Sequence, residues 1–444
     1  MARKYFGTDG VRGLVGHEPM SAEFALRLAS AAAQVLVPGG GAVLIGKDTR
    51  LSGYMFESAL EAGFVAAGAD VLLLGPLPTP GIAYLTQAFS ARLGVVISAS
   101  HNPYHDNGIK FFDGNGAKLT DEVESEIERF LGRPAITLES HKLGRATRID
   151  SACARYQEFC ASTFPDDLTL EGVKVVFDGA NGATYKVGPR TLSELGAEVI
   201  PIGCSPNGRN INAGCGSTQP ELLQATVPAV RADVGIAVDG DGDRVVMVDE
   251  NGAIVDGDQL IYIVATARKL AGTLKGPVVG TVMSNLGLEH ALRAQQIEFR
   301  RAGVGDRHVL EALRESGGII GGETSGHLIC LDRTTTGDGL ISALQVLAVM
   351  KRSGRTLSDL ASGMPRFPQK LVNVRTGKPV DLDGTPAIAD AVASAEKQLA
   401  RAGRVLLRAS GTEPVIRVMV EGEDEKLVTL LAERLAAVVA KSGA

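Results

Sequence analysis

The sequence predicts a protein built from several α/β domains in series, and three observations carry that prediction. Short β-branched apolar runs alternate with Ala- and Leu-rich helical stretches from end to end. The runs are apolar at nearly every position, which suits strands buried on both faces. The length of 444 residues allows two to four domains at roughly 100–200 residues each.

A helix is expected over Ala22–Val37, followed by strands at Ala42–Gly46, Val71–Leu74 and Leu93–Ile97 and a helix over Asp121–Phe130. Arg145–Ser151 closes this region, giving a first domain over residues 1–150. The strand Val173–Phe177 opens a second domain over 151–256, with the loop Asp178-Gly179-Ala180-Asn181-Gly182 behind it. Val234–Val238 continues it, and the hairpin-like Val245–Val255, turning at Asn251-Gly252, ends it. A third domain, 257–366, takes the helical spacing of Asp258–Leu270, the strand Val278–Val282, the helical stretch Glu289–Arg293 and the strand Gly318–Ile320. Pro365 and Pro368 mark the change to a smaller last domain, 367–444, which ends in the amphipathic helix Glu425–Lys441. No short tandem repeat is visible.

Composition narrows the function. The 45 Lys+Arg against 51 Asp+Glu give a net charge of −6, with no basic run, so nucleic acid is not expected as a partner. The longest uncharged stretches carry Pro76, Pro78 and Pro80, or Pro38 and three glycines, so no membrane span is expected. The opening residues have no apolar core for a signal peptide. Five cysteines (Cys153, Cys160, Cys204, Cys215, Cys330) with no CxxC pair fit reduced thiols and a cytoplasmic location.

Four apolar strands end in short loops dense in chemically able residues. They are Ser98-Ala99-Ser100-His101-Asn102-Pro103, Asp239-Gly240-Asp241-Gly242-Asp243-Arg244, Glu323-Thr324-Ser325-Gly326-His327, and Arg408-Ala409-Ser410-Gly411-Thr412-Glu413-Pro414. Ligands of open α/β sheets bind beyond the carboxyl ends of the strands, so the four loops are expected to converge on one cleft.

In the second loop, three carboxylates alternate with glycines. Two like charges 4 Å apart repel by about 4 kcal/mol at an effective dielectric of 20. A hard divalent cation, Mg²⁺ first, is the natural partner of Asp239, Asp241 and Asp243. An EF-hand reading has the right Glu250 at position 12, but Arg244 stands where its glycine must be, and Val245–Val248 reads as a strand. A solvated acidic turn is the remaining rival.

Ser100 at a strand end is a candidate nucleophile with His101 beside it, although the pair alone is equally a turn. No G-x-S-x-G elbow is present. Lys110 falls just inside the next strand, and a lysine among other cations can have a lowered pKa and move protons. In the fourth loop Arg408, Ser410, Gly411, Thr412 and the returning Arg417 suit a dianionic phosphate. Glu323, Ser325 and His327 offer donors and acceptors for sugar hydroxyls; a plain polar turn accounts for them as well. Gly303–His308 is too short for a nucleotide fingerprint, so neither ATP nor NAD is indicated.

Together with Phe6-Gly7-Thr8-Asp9-Gly10-Val11-Arg12-Gly13, these loops stand in the order found in the α-D-phosphohexomutases, over some 400 residues, and the sequence resembles that family. The resemblance implies three α/β domains with mixed sheets plus a smaller C-terminal α+β domain around one cleft. It implies that Ser100 carries the phosphoryl group as phosphoserine and completes a Mg²⁺ site with Asp239, Asp241 and Asp243. Arg12, His101, Lys110 and Arg244 would surround the transferring group as charge stabilisers or proton-transfer partners, and His327, a further catalytic candidate, would lie beside the sugar-binding residues. Glu323 and Ser325 would hold sugar hydroxyls, and Arg408, Ser410, Gly411, Thr412 and Arg417 the phosphate that is not reacting. The last domain is expected to move on a hinge near Arg366–Gln369.

Gly411 and the opening Arg3–Gly10 resemble the branch acting on glucosamine phosphates. It interconverts the 6- and 1-phosphates through a hexosamine or hexose 1,6-bisphosphate and feeds UDP-N-acetylglucosamine synthesis for the cell envelope. The phosphomannomutase/phosphoglucomutase branch is the nearest alternative. A haloacid-dehalogenase-type sugar phosphatase would leave the Arg408–Pro414 loop idle, and a non-catalytic sugar-phosphate sensor would not need both a metal triad and Ser100. A small sugar phosphate is the expected partner; the sequence leaves the oligomeric state open, a homodimer among the options.

Overall fold

The structure, a computed structural model, describes residues 4–7, 9–377, 380–382, 384–400, 402–409 and 415–443. The first sheet is built from β1 (Val11–Leu14), β2 (Ala42–Lys47), β3 (Asp70–Pro76), β4 (Leu93–Ile97), β5 (Asp106–Asp113) and β6 (Ala146–Arg148). Their order is β1-β5-β4-β2-β3-β6. β3 and β4 flank β2 in parallel, and β5 turns back antiparallel to β4. Every residue of β4 is buried, as a continuous apolar run requires, whereas β6 at the edge is exposed throughout. Helices α1 (Ala22–Leu36) and α2 (Ser52–Ala66) share one core with these strands, around Phe24, Leu28, Phe56, Phe64, Val43 and Val95. Ser21 starts α1 by accepting a bond from the Phe24 amide.

The second sheet contains β7 (Lys174–Asp178), β8 (Glu198–Ile202), β9 (Val234–Val238), β10 (Val245–Asp249) and β11 (Ile254–Val255), ordered β11-β10-β9-β7-β8. β7 lies parallel to β8 and β9, while β9 and β10 are antiparallel across the acidic loop. The third region starts at α3 (Gly257–Leu270), where Asp256 and Gln259 form a capping box. After β12 (Val278–Thr281) the chain makes α4 (Leu286–Ala294) and β13 (Phe299–Ala302), then α5 (Asp306–Ser316). β14 (Ile320–Gly322) pairs parallel with β12 and antiparallel with β15 (Leu328–Cys330). All three sheets are therefore mixed, as expected.

By packing, the chain divides into two compact units. One takes the chain up to Thr281 together with Ala302–Ser362, and the other takes Val282–Arg301 with the chain from Gly363 onward. In the second unit the antiparallel sheet β16 (Gln369–Arg375), β17 (Gly403–Ala409) and β18 (Val415–Gly422) has β18 at its centre. Helices α6 (Pro386–Leu399) and α7 (Glu425–Ser442) bury Ile388, Leu431, Leu435 and Val439 with Ile416 and Val418 of β18.

This unit is tied to its detached segment by polar bonds. Glu421 is fully buried and accepts from Arg404 Nε at 2.7 Å, the Leu286 amide at 3.0 Å and Gln369 Nε2 at 3.3 Å. Arg404 also donates to the carbonyls of Val282 and Ser284, each at 2.7 Å. Phe367 and Asn285 exchange two bonds of 3.0 Å. Phe367 and Gln369 of the expected hinge are thus anchored to residues of their own unit. Among the described residues no helix is long and apolar enough to cross a membrane.

Candidate active site

Three of the four loops meet in the first unit. Ser100 stands three residues beyond the end of β4 with a left-handed backbone, φ +52°. Its Oγ donates to Asp239 Oδ2 at 2.5 Å and lies 3.3 Å from His101 Nδ1. Asp239 begins the loop between β9 and β10, where two glycines make the turn possible. Gly242 has φ +73°, and a Cβ on Gly240 would come within 2.6 Å of the Ser100 carbonyl oxygen.

Asp239, Asp241 and Asp243 are buried, and one oxygen from each lies within 4.8 Å of the others. Burial, with Asp243 and Asp241 beside it, holds the Asp239 carboxyl well above its usual pKa. Oδ1 of Asp241 and Oδ1 of Asp243 are buried without a hydrogen-bond partner. Buried carboxylate oxygens without a hydrogen bond in one small volume fit a hard, oxygen-binding cation. The fit favours a metal site and counts against a merely solvated acidic turn.

Lys110 corrects an expectation. Of its two expected roles, proton transfer needs a lowered pKa, yet its Nζ lies 2.8 Å from Asp241 Oδ2, 3.0 Å from Asp9 Oδ2 and 3.7 Å from Asp243 Oδ2. Burial alone would push the ammonium down, but the three carboxylates outweigh it and its pKa is raised. The sequence could not show this, because Asp9 and Asp241 are distant along the chain. Lys110 is a fixed positive charge.

His327, at the start of β15, is buried, with Nδ1 3.8 Å from Asp243 Oδ1 and Nε2 3.5 Å from Asp306 Oδ2. Burial works against its cationic form, and Asp243 and Asp306 reverse the balance, raising the pKa. His101 moves the other way: burial comes first, and Arg244 and Arg12 add to it. The Arg244 amide donates to Asp239 Oδ1 at 3.2 Å, and its guanidinium Nε is 3.9 Å from Asp243 Oδ1. Arg12 is paired with Asp9.

These groups border a cavity of about 230 Å³ lined by Arg12, Arg244, Glu323, His327 and the stretch Val304–His308, among others. Glu323 accepts from the Gly305 amide at 2.9 Å. Ser325 is exposed and is not among the cavity-lining residues. Sequence reasoning gave no role to Asp9, Lys118 or Asp306. Lys118 Nζ nevertheless lies 2.6 Å from both Asp9 Oδ1 and Asp306 Oδ2. Of Gly303–His308, set aside as a nucleotide motif, the residues from Val304 onward form part of the cavity wall.

Of the phosphate loop, Ser410, Gly411 and Thr412 lie outside the described residues, as does Thr8 of the opening motif. Arg408 and Arg417 are described, and they are directly opposed partners on β17 and β18.

The comparisons with known proteins agree with this layout. The four domains described for phosphoglucomutase/phosphomannomutase match residues 3–134, 154–252, 256–367 and 371–438. The phosphoglucosamine mutase of Pseudoalteromonas translucida (strain TAC 125) is 58% identical over 438 residues, covering 98% of each chain. That of Methylococcus capsulatus is 57% identical over 444 residues, covering 100% of this chain and 99% of its own. The crystal structure of a phosphoglucomutase/phosphomannomutase family protein from Burkholderia thailandensis superposes with a TM-score of 0.82 at 26% identity, covering 99% and 98% of the two chains. With its four domains in register and its aspartate triad facing Ser100, the chain belongs to the α-D-phosphohexomutases, the phosphoglucomutase/phosphomannomutase family.

Proposed function

We infer that this protein is an isomerase that interconverts glucosamine 6-phosphate and glucosamine 1-phosphate. The observation that carries the reading is the contact of Ser100 Oγ with the buried triad, in a chain 58% identical from end to end to a phosphoglucosamine mutase.

Phosphoryl transfer needs charge neutralisation and in-line positioning more than covalent assistance. In the forward half-reaction the bond between phosphorus and Ser100 Oγ breaks and a new one forms to the free sugar oxygen, whose proton leaves. The bisphosphate then turns over in the site. Its other phosphoryl group passes to Ser100 Oγ, and a proton returns to the sugar oxygen left behind. Asp239, Asp241 and Asp243, with a phosphate oxygen on Ser100, would hold Mg²⁺, which neutralises charge developing on the transferring group. Lys110, Arg12 and Arg244 supply fixed positive charge around it. His101 Nδ1, 3.3 Å from Ser100 Oγ, is placed to exchange a proton there. Glu323 and His327 face the sugar, and Ser325 belongs to the same loop. Arg408 and Arg417, with Ser410, Gly411 and Thr412, take the phosphate that is not reacting; holding it fixes the reacting end. The product of such a reaction suits nucleotide-sugar synthesis in the cytoplasm.

The decisive assay offers glucosamine, glucose and mannose 6-phosphates side by side, each with a trace of its bisphosphate. Glucosamine phosphate should turn over fastest. A tenfold preference for glucose or mannose would move the protein to the neighbouring branch. Intact-mass measurement should find one phosphate on part of the purified protein, and Ser100→Ala should abolish both that phosphate and turnover.

A further inference from the structure

Ser100 is not held by the metal loop alone. Arg50, which is fully buried, donates through one terminal nitrogen to the Ser100 carbonyl at 3.1 Å and to the Asn102 carbonyl at 2.5 Å. From the other domain, Asn212 Nδ2 donates to the same two carbonyls at 2.9 and 3.1 Å. Two independent side chains therefore bridge residues 100 and 102. The Asn212 amide can be oriented only one way, since its oxygen would repel both carbonyls if exchanged with its nitrogen. That oxygen is buried without a partner, a cost accepted to keep the nitrogen where it is. Asn212 itself has φ +58°, a conformation that asparagine tolerates better than most residues.

On the inner side, Asp48 is ion-paired with Arg50 and accepts from Ser98 Oγ. Ser98 Oγ in turn accepts from the Ser100 amide at 3.0 Å. The backbone of residues 98–102 is thus held at one amide and two carbonyls, and Ser100 sits in the αL region, which non-glycine residues adopt only where the surroundings enforce it.

We propose that Arg50 and Asn212 are positioning residues for phosphoryl transfer, bridging the Ser100 and Asn102 carbonyls so that Ser100 Oγ is aimed at Asp239. Asn212 has the more specific part. It lies in the same domain as the three aspartates, so its bonds register the serine loop of one domain against the metal loop of the next. The role in catalysis rests on the isomerase reading above; the mechanical role does not.

The test uses the full-length protein and the variants Asn212→Ala, Asn212→Ser and Asn212→Asp, whose side chains donate none, one and none of the two bonds. Hydrogen exchange of the peptide covering residues 98–103 should be faster in N212A than in wild type, with peptides of the β7–β8 region unchanged. This readout needs no substrate, so it stands or falls separately from the assigned reaction. Turnover is then measured on whichever hexosamine or hexose phosphate the wild type prefers. A misplacement near 1 Å can cost on the order of 100-fold. We expect kcat in N212A to fall about 10- to 100-fold with KM within about twofold. N212S should recover part of the loss, and N212D, which sets a carboxylate against two carbonyls, should be slower than N212A. Unchanged exchange in residues 98–103, an unchanged kcat, or an N212D no slower than N212A would each overturn the proposal.

Discussion

Lys110 Nζ lies 2.8 Å from Asp241 Oδ2, and both side chains are almost completely buried. Before any cation enters, this lysine is the nearest countercharge to the acidic loop. Removing one partner of a buried pair leaves the other uncompensated, at a cost of about 3–5 kcal/mol. Lys110→Met should therefore be strongly destabilised and inactive. Added Mg²⁺ should raise its melting temperature more than it raises that of wild type, because the cation relieves a larger excess of negative charge. Equal magnesium shifts in the two proteins would contradict this account.

Metal removal should act on stability as well as turnover. Three carboxylates within 4.8 Å of one another repel, and a ligand bound only by the native state stabilises it by about 2.7 kcal/mol at a hundred times its dissociation constant. Chelation should stop turnover and lower the melting temperature, and Mg²⁺ should restore both. Asp243→Asn should raise the Mg²⁺ concentration needed for half-maximal activity by about tenfold or more. A fully active chelated enzyme would exclude the metal role.

Arg307 fastens the cavity wall to the first domain. Its guanidinium reaches Asp121, the Leu119 carbonyl and, at 3.3 Å, Glu124 Oε1. The neighbouring Gly305 and Glu323 contribute to the same cavity. Arg307→Ala should loosen this wall without touching the phosphoryl group, so steady-state kinetics should show KM rising several-fold while kcat stays within about twofold. A fall in kcat at constant KM would place Arg307 in the chemistry instead.

Asp338, behind the acidic loop, gives the protein a further pH dependence. Its carboxylate accepts from the Ile341 amide at 2.9 Å and from Tyr156 Oη at 2.7 Å, and burial pushes its pKa up to about 6. A folded pKa above the unfolded value of about 4 means that the folded state holds the proton more tightly. Its stabilising contribution is complete below pH 4 and is lost as pH rises through 6. Two pKa units correspond to about 3 kcal/mol. In urea denaturation, the stability of wild type relative to Asp338→Asn should drop by up to that amount between pH 4 and pH 7.5. A difference that does not change with pH would show that Asp338 is ionised throughout.

The central, buried strands were legible because they are short apolar runs, and β4, β9 and the hairpin after it stand where Leu93–Ile97, Val234–Val238 and Val245–Val255 placed them. The acidic loop was legible because its three carboxylates lie within five residues. Beyond the convergence of the strand-end loops, the sequence hid which side chains of distant segments would pair. Lys110 looked available for proton transfer until Asp9 and Asp241 arrived from either side. Arg50 and Asn212 carried no local signal, since their targets are carbonyl groups, which have no sequence identity. Lys118 and Asp306 likewise became meaningful only when folding brought them within 2.6 Å of each other.

The polar ties around Glu421 also bear on how this chain can be dissected. A fragment cut just before Phe367 would take Glu421 and Arg404 with it but leave behind the Leu286 amide and the carbonyls of Val282 and Ser284. The smallest piece able to satisfy its own buried groups is therefore discontinuous in sequence. Domain exchange between relatives should tolerate a graft that carries residues 282–301 along with the C-terminal stretch. A graft cut only at the linker should yield an insoluble or protease-sensitive chimera.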